Sequence, residues 1–370
     1  MRTRGTESGF SLVELMIAMT VTLIVSGAIY GLLAAGGDAF RREPEVADRQ
    51  QNIRAAMDLV SRDVFNAGAS LPTFAQSFAI ADPDGACAGG LDGCGVAGSM
   101  GPDPTDVVEI VSVDEQCPFQ TVCSSGTVAG QAGEFVTREG VPACMSLPGF
   151  ALLTDNTSFV LQVASASTAT TQCTSGDARN GNVTLAAALT PWPPLAAFLP
   201  AAPDPPPVGN VVFLYRGRVV RYRIAPSTDP TDPGPALWRS ETGRYQRDGT
   251  LVAEPGEAGF TGTGGGSPWE MVARGIEDLQ VEYFAGAGPW ADAPPVVTNG
   301  DWNALVQRVR ITLSARSSAP NLTGQTTSAG GAPDAVRGRL TTVVTPRQAF
   351  NELQMCLSAT IPCPEASHVQ

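Results

Sequence analysis

The stretch GFSLVELMIAM, residues 9–19, opens an apolar run in which one residue stands out. The run continues as TVTLIVSGAIYGLL, so residues 10–33 carry a single charge, the carboxylate of Glu14. At ~1.5 Å per residue a helix over 10–33 is about 36 Å long, enough to cross a ~30 Å hydrocarbon core. A charged side chain at the centre of a bilayer costs about 2.5–3.5 kcal/mol on insertion scales. One retained in an intramembrane segment is by default there for a function. The reading of the chain turns on what Glu14 does.

Composition narrows the choices. The chain has 370 residues, enough to bury a substantial core. Its 40 Gly and 30 Pro, with only 6% aromatics, favour strands joined by turns over a helical bundle. A net charge of −13 argues against nucleic acid as a general partner, because phosphate-binding surfaces need an excess of cations.

Three readings of the N-terminal run compete. A cleaved secretory signal has an apolar region of about 7–15 residues before a small-residue cleavage site. The run here is longer, although Ala34-Ala35-Gly36 would serve as such a site. A plain membrane anchor explains the length but not Glu14. The third reading is a resemblance: MRTRGTESG followed by FSLVE resembles the leader and cleavage motif of type IV prepilins. A short basic leader there ends in Gly, matched by Gly9, followed by Phe, matched by Phe10, with Glu as the fifth mature residue, matched by Glu14. Arg2 and Arg4 fit a cytoplasmic leader by the positive-inside rule. The resemblance implies that a membrane-embedded prepilin peptidase cuts between Gly9 and Phe10 on the cytoplasmic face and N-methylates Phe10. Cleavage exposes an amine on Phe10, four residues before Glu14. In a packed filament core Glu14 then pairs with an N-terminal amine, its own or a neighbour's. That pairing offsets the cost of burying a charge and sets axial register.

The helical period continues beyond the membrane. Val46, Ile53, Met57, Val60 and Val64 form an apolar stripe, and Arg49, Arg54, Asp58, Arg62 and Asp63 populate other faces. Gly36-Gly37 softens the rod, and Pro44 kinks or restarts it. The division expected is a leader at 1–9, a transmembrane or filament-core helix at 10–35, and an amphipathic helix at 36–67. A loop-rich β region at 68–207, an antiparallel sheet region at 208–350 and a C-terminal tail at 351–370 follow. Strand signals lie at 107–113, 134–137, 158–163 and 183–185. A proline-rich stretch at 191–207 marks a boundary between two halves of the head. Beyond it, 211–215 and 219–224 read as a hairpin turning at Arg216-Gly217-Arg218, with Leu237-Trp238-Arg239 as a third strand. Residues 276–284 alternate with Leu279, Val281 and Tyr283 on one face. Val309, Ile311 and Leu313 alternate likewise, and 340–344 supplies another strand, for an antiparallel meander with one buried face.

This half carries a second resemblance. VARGIEDLQVEYF, DWNALVQRVRITLSARS and RGRLTTVVTPRQ are similar to the ending of PilW-type minor pilins and, more distantly, of J-type minor pseudopilins of type II secretion. The Trp of that pattern corresponds to Trp302 or Trp290. Thr345-Pro346-Arg347-Gln348 stands where those relatives end in Arg-Asn. The resemblances together imply an α+β, type IV pilin-like fold. They imply an inner-membrane protein with a single pass and a periplasmic head, which enters the pilus at the cell surface as a minor pilin that primes or caps assembly. The partners implied are other minor and major pilins, the prepilin peptidase, the inner-membrane assembly platform and a tip adhesin, with no nucleic acid. A type II secretion pseudopilin and a tip-displayed adhesin or DNA-uptake receptor remain the alternatives.

No enzyme constellation emerges. No G-x-S-x-G occurs, and the single His368 stands near the C-terminus. Residues 262–266 lack the Lys of a phosphate-binding loop, and neither Asp82-Pro83-Asp84-Gly85 nor Asp229-Pro230-Thr231-Asp232 has EF-hand spacing. No cofactor and no metal site are expected. The eight cysteines contain no C-x-x-C and read as disulfides of an oxidising compartment. Pairing sequence neighbours joins Cys87 to Cys94, Cys117 to Cys123, Cys144 to Cys173 and Cys356 to Cys363, the last closing a small C-terminal loop.

Overall fold

The N-terminal run and the stripe that follows it form one uninterrupted helix, α1 (Leu12–Phe65, 54 residues), in the computed structural model. The structure describes residues 11–71, 77–78, 106–125, 133–137, 141–145, 148–154, 159–166, 181–188, 212–229, 234–243, 267–286, 288–294, 306–317 and 337–349, and part of 246–262. The leader with Gly9, Phe10, the 191–207 stretch, Asp82–Gly85 as positions 82–85, Trp302 and the 351–370 tail lie outside them. Pro44 lies within the helix and does not restart it. Pro44 is exposed and removes one amide donor from the helix. After the C-cap Asn66, Gly68 adopts φ +65°, which turns the chain toward the sheet, and its amide donates to Val111 O at 2.9 Å.

Twelve strands follow: β1 (Val108–Val113), β2 (Gln120–Ser125), β3 (Gly133–Thr137), β4 (Gly149–Thr154), β5 (Phe159–Ala166), β6 (Gly181–Ala188), β7 (Val212–Pro226), β8 (Pro235–Ser240), β9 (Trp269–Arg274), β10 (Ile276–Phe284), β11 (Arg308–Arg316) and β12 (Arg337–Val344). The expected strands are all present, whereas β2, β4 and β9 carry no signal strong enough to be read beforehand. The meander of β10, β11 and β12 is antiparallel, with Leu279, Val281, Tyr283, Val309, Ile311 and Leu313 buried as their alternation requires.

The hairpin expected at Arg216-Gly217-Arg218 is not formed. β7 runs straight through as a 15-residue strand, and Gly217 is buried opposite Val113. The side chains either side have cross-strand partners that a turn would remove: Arg216 meets Asp114 at 2.9 Å and Arg218 meets Glu241 at 3.5 Å. Leu214, Val220, Tyr222 and Ile224 share one face of the strand, with the paired Arg216 and Arg218 between them on that face.

β7 joins two structures. Its first half pairs with β4 (Leu153↔Leu214) and β2 (Gln120↔Leu214). The ladder β2-β3-β6-β5-β4-β7 thereby returns to β2, and six antiparallel strands close into a small barrel. Closure removes every free edge among them. Val122, Ala151, Leu153, Ala164 and Leu214 fill the interior, with Met145 and Cys117. The second half of β7 pairs with β1 and β8, and β8 with β9. Strands from both sides of 191–207 thus share one sheet. The main core lies between this sheet, the β10–β12 sheet and α1, and gathers Ile53, Met57, Val60 and Val64 with Ile110, Tyr222, Leu237, Leu279 and Ile311. A smaller core of Trp238, Trp269, Ala225 and Ala236 lies on the far side under Val252 and Phe260.

Candidate functional site

The site is the helix itself, at its two ends. Glu14 stands in the first turn of α1, its amide bonded to Ser11 O at 3.0 Å. From Leu12 to Leu33 none of the helix is buried within the chain, and Leu23 and Leu32 expose 75% and 77% of their surface. Two threonine hydroxyls along this stretch are returned to the helix: Thr20 Oγ1 donates to Met16 O at 2.6 Å and Thr22 Oγ1 to Ala18 O at 2.7 Å. Such back-bonding leaves Glu14 as the one formal charge an apolar environment must accommodate between Leu12 and Leu33. An apolar surface of this length on one helix needs a lipid or protein environment.

The other end is seated on the head. Ile53, Ala56, Met57, Val60 and Val64 are buried against the sheets, so the predicted stripe does pack, with Val46 half-buried at its upper limit. Asp63 corrects the reading that placed it on an outer face: it is 5% exposed and lies within the seat. Its Oδ2 accepts from Tyr222 Oη at 2.6 Å and from Arg239 Nε at 2.8 Å. Arg239 Nη1 in turn donates to Glu241 at 2.8 Å. Burial pushes the Tyr222 hydroxyl well above its ordinary range, and the Asp63 charge adds to it. Burial alone would lower the Arg239 guanidinium, but its bonds to Glu241 and Asp63 outweigh that and raise it. The clue in the sequence was spacing: Ala56, Val60 and Asp63 step by 4 and 3, the interval of one helix face.

Two further sets of contacts fix the head around this seat. On the opposite face of the sheet Arg221 bonds Glu109 and Glu254 at 3.0 Å each, and Arg223 bonds Glu254 at 2.6 Å. Below the helix end, Gln348 N donates to Ala67 O at 3.3 Å and Arg347 pairs with Glu115 at 3.0 Å. A Cβ added to Gly68 would stand 2.5 Å from Gln348 Oε1.

Cys117 is bonded to Cys144, with Cα atoms 5.5 Å apart. This overturns the neighbour pairing of Cys117 with Cys123 and of Cys144 with Cys173. The physical reason is the barrel. Its closure brings the segment before β2 against the short 3-10 turn Ala143–Met145 that precedes β4. Cys123 is a residue of β2 whose side chain lies outside the described set, as do Cys87, Cys94, Cys173, Cys356 and Cys363. Among the described residues no group of three His, Cys, Asp or Glu is placed to hold a metal ion. Trp290 packs on Phe284 with centroids 5.5 Å apart, under the Arg310 guanidinium at 4.2 Å.

Residues 4–30 match the prokaryotic N-terminal methylation motif. The matched span contains Gly9, Phe10 and Glu14. No curated protein matches the chain. Among solved structures, a type IV-like pilin from Thermus thermophilus is similar at 15% identity and a TM-score of 0.20, over 55% of this chain and 85% of that one.

Proposed function

We propose that this chain is a membrane-anchored structural subunit of a type IV pilus, a minor pilin that primes or caps assembly after cleavage between Gly9 and Phe10. The observation that carries the reading is α1. An apolar segment exposed on every side bears the methylation motif and a lone Glu14 at one end, and a buried seat on a β head at the other. A helix that must be covered by its surroundings, attached to a head with its own buried core, is a part built for assembly. Glu14 pairs with an N-terminal amine when the helices pack. The chain's work is association, with no catalytic step.

Two observations support the orientation. Arg2 and Arg4 fit a leader on the cytoplasmic side by the positive-inside rule. The Cys117–Cys144 bond belongs in an oxidising compartment, which supports a periplasmic head. The barrel supports a position at the filament end. Heads repeated along a filament must fit against neighbours on all sides, and an appended barrel is accommodated most easily where one side is open.

The test is mass spectrometry of the protein recovered from cell membranes. The expected N-terminus is methylated Phe10. An intact leader, or a different first residue, sinks the proposal. Loss of surface pili in a deletion strain with protein secretion unchanged favours the pilus, and the reverse phenotype assigns the chain to a type II secretion filament.

A further inference from the structure

Among the described residues β12 is the last strand of its sheet. In β10 and β11 the inward row is sealed, with Leu279, Val281, Val309, Ile311 and Leu313 at most 1% exposed. The inward row of β12, Gly338, Leu340, Thr342 and Val344, is only half-buried. Leu340 and Val344 sit at the margin of the core, as does the half-buried Leu59 of α1. Among the described residues no strand covers this flank of the core, where the next strand of the sheet would lie.

The edge itself is suited to pairing. Among the described residues β12 pairs only with β11. The opposite end of the sheet is capped, since Asp106 N donates to Leu279 O at 2.8 Å and Asp106 Oδ2 accepts from Val281 N at 2.6 Å. Edge strands are ordinarily blunted by bulges, prolines or charges. β12 keeps register with β11 over eight pairs without a bulge, and 340–344 contains no proline and no charge. Arg337 is occupied by Glu277 at 2.9 Å. Arg339 is exposed and makes no ion pair among the described residues.

We propose that the free edge of β12 accepts an extended strand donated by another protein chain. The donor is apolar at alternate positions, covering Leu340, Val344 and Leu59, and carries a carboxylate where it passes Arg339. Main-chain hydrogen bonds supply the attachment, and the alternating side chains with the Arg339 contact supply the choice of partner. The inference rests on the reading of this chain as an assembly subunit, because the donor is a neighbour in that assembly.

The test places a benzophenone amino acid at Val343, which is 51% exposed, in the full chain produced in its own membranes. Irradiation and peptide sequencing then identify what lies against the edge. The expected product joins Val343 to a different polypeptide, at a segment alternately apolar and containing Asp or Glu. Its yield should fall at least tenfold with Arg339→Glu and with Thr341→Lys. Both positions are exposed, and protease resistance of the β10–β12 segment equal to that of the unsubstituted chain reports that the variants have folded. Cross-links confined to residues 350–370 of the same chain or to β12 of a second copy overturn the proposal, as do yields unmoved by both substitutions. The N-terminal mass of the same sample separates the two readings: an uncut Gly9–Phe10 bond counts against the pilin assignment, whatever the edge has captured.

Discussion

Asp63, in the last turn of α1, accepts hydrogen bonds from both Arg239 Nε at 2.8 Å and Tyr222 Oη at 2.6 Å, in a seat that is otherwise apolar. The N-terminal helix is thereby joined to the head by a buried charge as well as by packing. Apolar contacts alone tolerate small rotations and slides of a helix on a sheet, whereas a charge-assisted pair does so only by losing its geometry. Removing Arg239 leaves Asp63 buried without its cation, and removing Asp63 leaves Arg239 only the exposed Glu241. Asp63→Ala and Arg239→Ala should each lower stability by about 3–5 kcal/mol. Asp63→Leu combined with Arg239→Met should recover most of that loss. Denaturant unfolding of the detergent-solubilised chain, followed through the tryptophans, distinguishes these outcomes.

The same seat sets an alkaline limit. The hydroxyls of Tyr222 and Tyr283 are both raised above the ordinary 10.0 by burial, with a nearby carboxylate, Asp63 or Asp106, as the second cause. A folded state that holds its protons more tightly than the unfolded chain is fully favoured below pH 10.0 and loses that advantage as pH rises further. Unfolding should therefore steepen above that pH. Tyr222→Phe should flatten the dependence while costing about 1–3 kcal/mol at neutral pH for the Asp63 acceptor left short of a partner. A pH series of thermal midpoints for both proteins reads this directly.

Glu14→Ala removes the lone charge of the exposed helix without altering the head. Membrane fractionation should find the variant inserted at normal copy number, while its amount in sheared filaments falls at least tenfold. Unchanged incorporation would mean that the carboxylate has no part in assembly.

Gly68 is a steric requirement. An alanine there must hold φ near +65° and bring its Cβ against Gln348. Gly68→Ala should cost about 1–3 kcal/mol. Gln348→Ala should relieve the clash but leave the backbone strain, so the double variant should recover only part of the loss. A double-mutant cycle of unfolding free energies measures the shared portion.

The Cys117–Cys144 bond closes a loop with a sequence separation of 27, worth about 3–4 kcal/mol in the chain-entropy model. Proteolysis under non-reducing conditions should yield these two cysteines in one linked peptide. Cys117→Ala with Cys144→Ala should open the barrel to protease before the α1 seat is affected, because the two cores are separate.

Sequence alone determined the elements whose signals are local. The methylation motif spans a few adjacent residues. The stripe of Ile53, Met57, Val60 and Val64 follows from the turn of a helix, and the β10–β12 meander from the alternation of side chains along a strand. Only the tertiary structure decided the features that depend on distant partners. Nothing near Gly217 says that the strand continues, because the residues that hold it straight are Val113 of β1 and Asp114 and Glu241 just past the ends of β1 and β8. Nothing near Cys117 points to Cys144, because barrel closure makes them neighbours. Asp63 looked like a solvated charge until Arg239 and Tyr222 met it across a sequence separation of 176 and 159 residues. A backbone period is set by each residue's own stereochemistry, whereas a buried charge, a disulfide and a closed sheet are each completed by a group that only folding supplies.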